Sequence, residues 1–297
     1  MNRRQFINRS AVLLAAGSMA SGQSMFAAAK SMAKVNKGRI GIQLYSVKDE
    51  LPKDFEGTLK KLSAMGYSMV EAYGFEGDKF VGHTMKEVSM IVKDMGMTLS
   101  GSHINTDIVS GDANDKGWDK WKKIAGAIKE GGADWAIQAW IPETKTVDDL
   151  KRVVTYFNHA GEICKAGGVK FGFHNHYDEF HKIGDDMALD YFIKNTDPKL
   201  VSFQLDLGHV VNGGGDCLHY LRNYPGRIKL WHASDFSKAN KKYIEAGKGN
   251  VPYPALFELA KSSGLERLIV EQETEGDIFA SLKMDFDYLK QFKWTQG

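Results

Sequence analysis

The chain has 297 residues, of which 43% are hydrophobic and 26% are charged, with 31 glycines, 6 prolines and two cysteines. This composition is ordinary for a globular protein and excludes a collagen-like, disulfide-scaffold or largely disordered chain. The formal charge of +2, with both signs interspersed, does not indicate a polyanionic partner, so we expect no nucleic-acid binding.

The first residues have the features of an export signal. Arg3-Arg4 precedes an apolar position, a weakly apolar run at residues 11–16 and small residues ending at Ala29. We therefore predict a twin-arginine signal peptide over residues 1–29 and a periplasmic protein, with a mobile amphipathic N-terminus as the alternative. Cleavage would remove three arginines and no acidic residue, so the formal charge would fall from +2 to −1. The stretch is too short and too interrupted by Ser and Gly to span a bilayer, so we expect no stable membrane anchor.

Past residue 38, short apolar runs alternate with longer segments of helical periodicity. We predict strands over residues 40–46, 68–73, 98–104, 134–139, 169–174, 201–206, 228–232 and 268–271. We predict helices over residues 55–65, 85–95, 118–129, 147–166, 187–195, 217–222, 253–263 and 278–292. Strand then helix, repeated eight times, requires parallel strands joined by right-handed crossovers. The fold class is therefore α/β, a (β/α)8 TIM barrel forming one catalytic domain over residues 30–297.

Three further features bear on this fold. An open doubly wound sheet needs a Gly-rich phosphate turn, and no G-x-G-x-x-G motif follows any predicted strand. The longest irregular stretch, residues 237–252, carries Gly247-Lys248-Gly249 and is a candidate substrate loop. Cys164 and Cys217 lie far apart in sequence and are expected to be small core residues, and a disulfide in an oxidising compartment stays open without support from their spacing.

Polar side chains stand at the carboxyl ends of the predicted strands, where the active site of a barrel is assembled. Five of the nine histidines lie in or just after strands three, five, six and seven. Unpaired charges are costly to bury, so a cation that organises these groups is the simplest explanation. Imidazole and carboxylate donors suit one divalent Mn, Zn, Co, Fe or Ni ion better than Mg or Ca. The residues expected to contact substrate are Tyr45, Glu71, His103, Gln138 and Lys248.

The chain resembles the xylose isomerase-like TIM barrels, the sugar phosphate isomerase/epimerase group that also includes tagatose epimerases, inosose dehydratases and endonuclease IV. The resemblance covers nearly the whole chain after the signal. It rests on the motifs Gln43-Leu44-Tyr45, Ser102-His103, His174-Asn175-His176, Asp206-x-x-His209, His232-x-x-Asp235 and Val270-Glu271-Gln272. It implies one metal ligand on each of strands five to eight, which are His174, Asp206, His232 and Glu271.

Strand five departs from the epimerases of this group, which carry a catalytic glutamate where this chain has His174. We place His174 as the ligand and His176 as the substrate-facing group, and the reverse order stays open. Glu271 then remains as the acid/base carboxylate, with His176, His209 or Glu179 as its catalytic counterpart.

The resemblance implies a metal-dependent isomerase or epimerase that removes a proton next to the carbonyl of a small-molecule sugar or keto-sugar. A lyase or dehydratase acting on a keto-sugar or 3-keto-glycoside is the alternative, because the same enolate can expel a β-substituent. An exported sugar-binding protein on a degenerate barrel is the non-enzymatic alternative. Endonuclease IV-like repair is disfavoured, because the second predicted strand and residues 235–245 lack its additional histidines. The sequence leaves a homo-oligomer open.

Overall fold

The computed structural model describes residues 38–106, 116–274 and 276–296. Eight parallel strands form a closed barrel in which each strand pairs with the next one along the chain and the last pairs with the first. This confirms the predicted fold. The strands are β1 Ile40–Gln43, β2 Met69–Ala72, β3 Thr98–Ile104, β4 Trp135–Gln138, β5 Lys170–His174, β6 Val201–Asp206, β7 Ile228–Ala233 and β8 Arg267–Val270. The predicted signal peptide at residues 1–29 lies outside the described residues.

Nine α-helices lie among the described residues and surround the barrel. They are α1 Phe55–Met65, α2 Met85–Asp94, α3 Lys116–Glu130, α4 Val147–Ala166, α5 Ala188–Asn195, α6 Leu207–Asn212, α7 Cys217–Asn223, α8 Tyr253–Ser263 and α9 Ile278–Leu289. Capping boxes begin α2 and α4, where Thr84 and Thr146 each bond to the third residue of the helix. None of the described helices is long and apolar enough to cross a membrane.

Three local structures differ from the sequence prediction. The first strand ends at Gln43 because this side chain accepts a hydrogen bond from the Tyr45 N–H and begins a 3-10 helix, Leu44–Val47. Helix α6 was not predicted, and it begins directly after β6 because Asp206 caps it. Residues 237–252 are less irregular than expected, since Asp235–Ser237 pairs with Lys242–Ile244 in an antiparallel hairpin.

The remainder of this candidate loop is held by one carboxylate. Asp235 lies at the start of the hairpin and is buried. Its side chain accepts hydrogen bonds from four backbone N–H groups, those of Phe236, Gly247, Gly249 and Val251. The loop after β7 is therefore fixed by many backbone contacts to a single side chain.

Side chains that point into the barrel form an apolar layer below a polar layer. Trp135, Ile137 and Leu230 make a small apolar cluster separate from the main core. Gly101 on β3 provides the space for this layer, because a Cβ there would lie 2.3 Å from the Trp135 carbonyl oxygen. The main core lies between the strands and the helices and includes both Cys164 and Cys217, which are buried as predicted.

Candidate functional site

Four side chains converge at the carboxyl end of the barrel. Donor atoms of His174, Asp206, His232 and Glu271 all lie within 4.8 Å of one another, and all four residues are buried. The strand register explains the convergence, because Asp206 on β6 pairs directly with His232 on β7. The four residues stand on or directly after β5, β6, β7 and β8. They are the ligand set predicted from the sequence.

Glu71 fixes the orientation of His232. The fully buried Glu71 carboxylate accepts a hydrogen bond from His232 Nε2 at 2.8 Å and another from Gln43 Nε2 at 2.9 Å. His232 Nδ1 consequently faces Glu271 Oε2 at 2.8 Å and Asp206 Oδ2 at 3.9 Å. A carboxylate that holds the far nitrogen of a ligating histidine is the usual support of a metal site.

Gln204 sets the tautomer of His174. Its amide nitrogen donates to both Glu71 oxygens at 3.2 and 3.0 Å, so its amide oxygen must face the histidines. That oxygen accepts from His103 Nε2 at 2.7 Å and from His174 Nδ1 at 3.1 Å. With its proton on Nδ1, His174 keeps a lone pair on Nε2, as a metal ligand requires.

Asp206 divides its two oxygens between structure and site. Oδ1 accepts from the His209 N–H at 2.7 Å and from the Ser234 hydroxyl, which itself accepts from the Gly208 N–H at 2.9 Å. Oδ2 is the oxygen that faces His232. One oxygen therefore caps α6 while the other is directed to the ligand cluster.

The charges of the cluster fit a cation. Burial alone would raise the pKa of Glu271, but the ion pair and hydrogen bond with His232 lower it to about 2. Burial is outweighed in the same way at Glu71, whose pKa is lowered by His103 and His232. Burial would lower the pKa of His232, and Glu271 and Glu71 instead raise it to about 10. Three buried carboxylates with this single strongly basic histidine leave excess negative charge, and imidazole and carboxylate donors could hold a divalent ion there.

A second histidine group adjoins the ligands on the solvent side. Donor atoms of His174, His176 and His209 also lie within 4.8 Å of one another, and His176 is half-buried. Burial and the neighbouring His209 lower the pKa of His176 to about 3, so its imidazole is neutral at neutral pH. His209 Nδ1 forms a hydrogen bond with the hydroxyl of Tyr243, a residue of the hairpin after β7. Two imidazoles thus stand beside Glu271 where a substrate would lie.

Glu179 lies outside this group. It belongs to a 3-10 helix, Tyr177–Phe180, and its carboxylate accepts from the His176 N–H at 2.6 Å. Burial raises its pKa to about 7. The structure therefore places this predicted catalytic group behind the His176 backbone.

The predicted substrate residues are divided by the structure. His103 lies within the site, with its ring stacked on His232 at 4.9 Å between centroids. Tyr45 stands at the rim and is 38% exposed. Glu71 lies beneath the ligands, fully buried, and not at the mouth. Lys248 forms an ion pair with Glu245 and contacts Met284, away from the cluster.

Gln138 points away from the barrel interior. It follows Trp135 and Ile137 on β4, and alternation along a strand turns it to the opposite face. Its side chain accepts from the Thr106 hydroxyl at 2.9 Å and donates to the backbone carbonyl of Trp140. The structure thus does not bring this predicted residue into the cluster.

Four residues that support the site were not predicted from the sequence: Gln204, Ser234, Tyr243 and Asn175. The amide oxygen of Asn175 accepts a hydrogen bond from the Asp206 N–H at 3.1 Å. Gln204 could have been found, because it stands two residues before Asp206 and so shares its face of β6. Ser234 and Tyr243 lie on segments whose path the sequence pattern does not define.

Comparison with known proteins identifies relatives of the chain. A family model described as xylose isomerase-like TIM barrel matches residues 59–294. An inosose dehydratase from Geobacillus kaustophilus is 26% identical over 230 residues, which are 68% of this chain and 70% of that protein. Several other dehydratases match over shorter stretches, and in those matches the chain spans about half the length of the relative.

Solved structures agree with these matches. A sugar phosphate isomerase/epimerase from Parabacteroides distasonis is 28% identical, with a TM-score of 0.78, covering 89% of this chain and 97% of that one. A 3-keto-D-glucoside 4-epimerase from E. coli shares the fold at 17% identity, with a TM-score of 0.66 and coverage of 86% and 100%. The named relatives are enzymes, which favours the enzymatic prediction over a binding protein.

Proposed function

Because the chain belongs to the xylose isomerase-like TIM barrel family, we propose that it is a metal-dependent, sugar-modifying enzyme that removes a proton next to a carbonyl. Isomerisation or epimerisation of a sugar or keto-sugar is the activity that we place first. The observation that carries the proposal is the position of Glu271, an ionised carboxylate at the barrel mouth that adjoins three other donors of a compact cluster.

The roles of the side chains follow from their positions. Asp206 Oδ2, His232 Nδ1, His174 Nε2 and a Glu271 oxygen would hold the ion, which would stabilise negative charge developing on the substrate oxygens. Glu271 accepts the proton from the carbon next to the carbonyl, whose electron pair moves towards the carbonyl oxygen. His209, on the solvent side beside His176, returns a proton to the product, because the neutral imidazole of His176 is too weak an acid to do so. Glu71, Gln204 and Ser234 hold the ligands in place.

A lyase or dehydratase is the second candidate, and one feature of the site favours it. The site has an imidazole, His174, where the resemblance leads one to expect a second acid/base carboxylate. In elimination Glu271 takes the α proton, the electron pair forms a double bond, and the β-oxygen leaves with a proton from His209. The dehydratase names of several relatives support this candidate.

Solvent exchange distinguishes these reactions. The metal-loaded protein is incubated in heavy water with ketoses, aldoses and 3-keto-glucosides. An isomerase or epimerase incorporates deuterium next to the carbonyl of its product, whereas a lyase releases a leaving group and forms an unsaturated product. If no substrate in this set exchanges or loses a group, the proton-abstraction proposal is wrong.

Glu271→Gln tests the base directly. We expect the exchange rate to fall by about 10²- to 10⁴-fold, the range for loss of a general base. Glu258→Gln is the control, because that glutamate lies at an exposed position of α8, outside the site, and its loss should leave the rate within about threefold. Equal losses in the two variants would contradict the role of Glu271.

We further propose export through cleavage after Ala29, supported by the Arg3-Arg4 pair and the small residues that follow. N-terminal sequencing of the periplasmic fraction of expressing cells tests it. Replacement of both arginines by lysine should leave the protein in the cytoplasm, and unchanged export would contradict the twin-arginine route.

The metal can be identified by elemental analysis of the purified protein. We propose Mn, Zn, Co, Fe or Ni, because two of the four donors are imidazoles, whereas Mg prefers oxygen donors. Removal of the ion with a chelator should abolish activity, and one of these ions should restore it better than Mg.

A further inference from the structure

A large cavity opens beside the ligand cluster, on the side of His176. It has a volume of about 890 Å³ and lies between the loop after β4, residues 140–145, and the segment after β5, residues 176–183. His176 lines this cavity, and its ring lies 4.9 Å from the ring of His174. The cavity therefore adjoins the proposed active site at His176 and lies outside the ligand cluster itself.

The exposed aromatic rings in the described part of the chain lie at this end of the barrel. Among the described residues, the large hydrophobic side chains that are exposed include three aromatics, Tyr45, Trp140 and Tyr177. All three follow the carboxyl end of a strand, and none lies on the outer helices. Trp140 is 52% exposed and Tyr177 is 49% exposed, and both line the cavity. Exposure of large rings costs free energy, so their grouping at one cavity indicates a ligand.

The two walls of the cavity are held in place by the fold. Gln138 donates a hydrogen bond to the backbone carbonyl of Trp140, which fixes the first wall. Gly213 allows the second wall to lie close, because a Cβ there would be 2.7 Å from the Tyr177 carbonyl oxygen. His181 joins the walls by donating from Nε2 to the Thr144 carbonyl at 2.9 Å. These contacts build the cavity before any ligand binds.

The chemistry of the lining matches a sugar ring. Aromatic faces at Trp140 and Tyr177 can pack against the C–H faces of a pyranose, since they supply large contact area at low entropy cost. Glu143, Lys145 and Asp178 line the same cavity and offer polar groups to ring hydroxyls. The volume is near the upper end of the roughly 300–1,000 Å³ found for sites of drug-sized ligands, and exceeds the need of one monosaccharide.

We propose that this cavity is a second sugar subsite, which binds the neighbouring ring of a glycoside while the reacting ring lies at the ligand cluster. The proposal rests on the proposed function and narrows its substrate class from free monosaccharides to glycosides of at least two rings. Trp140 and Tyr177 provide the stacking surfaces, and His176 stands at the junction of the two subsites.

Binding to unreactive probes tests the subsite apart from catalysis. Methyl β-glucoside, methyl β-cellobioside and methyl α-maltoside have no free carbonyl, so the proposed chemistry cannot consume them. We expect at least one of the two disaccharides to bind the wild-type protein about tenfold or more tightly than the monosaccharide, as about 1.4 kcal/mol of added contact would give. Titration calorimetry gives the affinities. All six tryptophans lie in the described ranges and Trp140 is the most exposed, so protection from acrylamide quenching reports occupancy.

Substitutions then locate the effect. Trp140→Ala and Tyr177→Ala should each remove most of the disaccharide advantage while methyl β-glucoside affinity stays within about twofold, and Trp140→Phe should retain much of it. Met90→Ala is the control, since Met90 is an exposed apolar residue on α2, on the outer face of the barrel. Disaccharides that bind no better than the monosaccharide, or variants that weaken all three probes equally, would overturn the proposal. The same holds if 4-nitrophenyl β-glucoside alone gains affinity from the two rings, because the subsite would then take an aromatic group.

Failure of the subsite and failure of the proposed function give different results. A protein that binds disaccharides through Trp140 and Tyr177 but catalyses no exchange or elimination retains the subsite and loses the proposed reaction. A protein that exchanges protons of keto-sugars without any preference for glycosides retains the reaction and loses the subsite.

Discussion

At the scale of single residues, the site depends on side chains that support the ligands. Glu71 and Gln204 would not contact a bound ion, yet they determine which nitrogen of His232 and His174 is available. Because the Glu71 carboxylate can only accept hydrogen bonds, every amide and imidazole around it must turn a donor towards it. The direction of the network is thus defined by one buried charge.

Glu71→Gln should weaken metal binding by about 10- to 100-fold, because the amide removes the charge that holds His232 Nε2. Calorimetric titration with Mn²⁺ and Zn²⁺ measures the effect. Asp190→Asn is the matched control, since Asp190 is also a buried carboxylate but accepts hydrogen bonds from Tyr220 and His219 on the outer helices. If Glu71→Gln raised only the KM for substrate, the direct substrate contact predicted from the sequence would be correct.

Glu179 should make stability depend on pH. Burial raises the pKa of Glu179 in the folded protein to about 7, so between about pH 4.5 and 7 the folded state keeps a proton that the unfolded chain releases. The stability contributed by this group is complete below that range and is lost as the pH rises through about 7. When the pH rises from 5 to 8, we expect the free energy of unfolding of Glu179→Gln to increase by about 2 kcal/mol relative to that of the wild type.

Denaturant unfolding of the two proteins at pH 5 and pH 8 measures this change. Glu258→Gln, at an exposed position of α8, is the control and should show the same pH dependence as the wild type. A difference between Glu179→Gln and wild type that does not change with pH would show that burial of Glu179 does not affect its titration.

At the scale of elements, contacts between adjacent strands position the ligands. The register of β6 on β7 sets Asp206 beside His232, and that of β5 on β6 sets His174 beside Gln204. A slip of one residue would turn each of these side chains to the helix side of the barrel. Close packing of the strands and the apolar layer therefore determines the geometry of the site.

Two glycine substitutions should act in opposite directions. Gly101→Ala puts a methyl group against the Trp135 backbone carbonyl, so β3 must move from β4 at a cost of about 1–3 kcal/mol. Gly126→Ala lies within α3 with no atom within 4 Å of the added Cβ, and should stabilise the protein by about 0.5–1 kcal/mol. Denaturant unfolding tests both, and a neutral Gly101→Ala would contradict the close approach of the strands.

At the scale of the whole molecule, much of the structure could be predicted from the sequence. The eight strand and helix pairs have distinct periodicities, and α1, α4 and α8 were predicted with the bounds that the structure has. The four proposed ligands follow from strand-end position and family pattern together, and the structure brings their donor atoms together.

The remainder depends on contacts that a linear pattern does not contain. Glu71 and Gln138 are both polar residues near the carboxyl end of a strand. Glu71 lies under the proposed ligands, whereas Gln138 points out of the barrel towards Thr106 and Tyr156. The sequence alone does not show which face of the strand each residue occupies. The hairpin that carries Tyr243 pairs over a four-residue loop with no strong turn signal. The cavity lined by Trp140 and Tyr177 likewise lies between two loops that are distant in sequence.

Occupancy of the proposed metal site by an ion should stabilise the whole barrel, because the four proposed ligands come from four neighbouring strands. An ion at one hundred times its Kd adds about 2.7 kcal/mol, which corresponds to a rise in Tm of about 5–10 °C for a protein of this size. Thermal unfolding with and without metal measures it, with chelator to reverse the effect. Asp206→Ala should unfold at the same Tm in both conditions, and a metal-dependent shift in that variant would place the ion elsewhere.

The fixed direction of the Gln204 amide has an evolutionary consequence. A glutamate in place of His174 would set a carboxylate against the Gln204 amide oxygen, which now accepts from His174. Turning the amide to relieve that repulsion would present the same oxygen to the Glu71 carboxylate. Exchange between a histidine and a glutamate at this position therefore passes through an unfavourable intermediate unless position 204 or 71 changes first. We expect ancestors or descendants that carry a glutamate there to differ at one of those two positions as well, so that the identity of one proposed ligand is historically coupled to residues outside the ligand cluster.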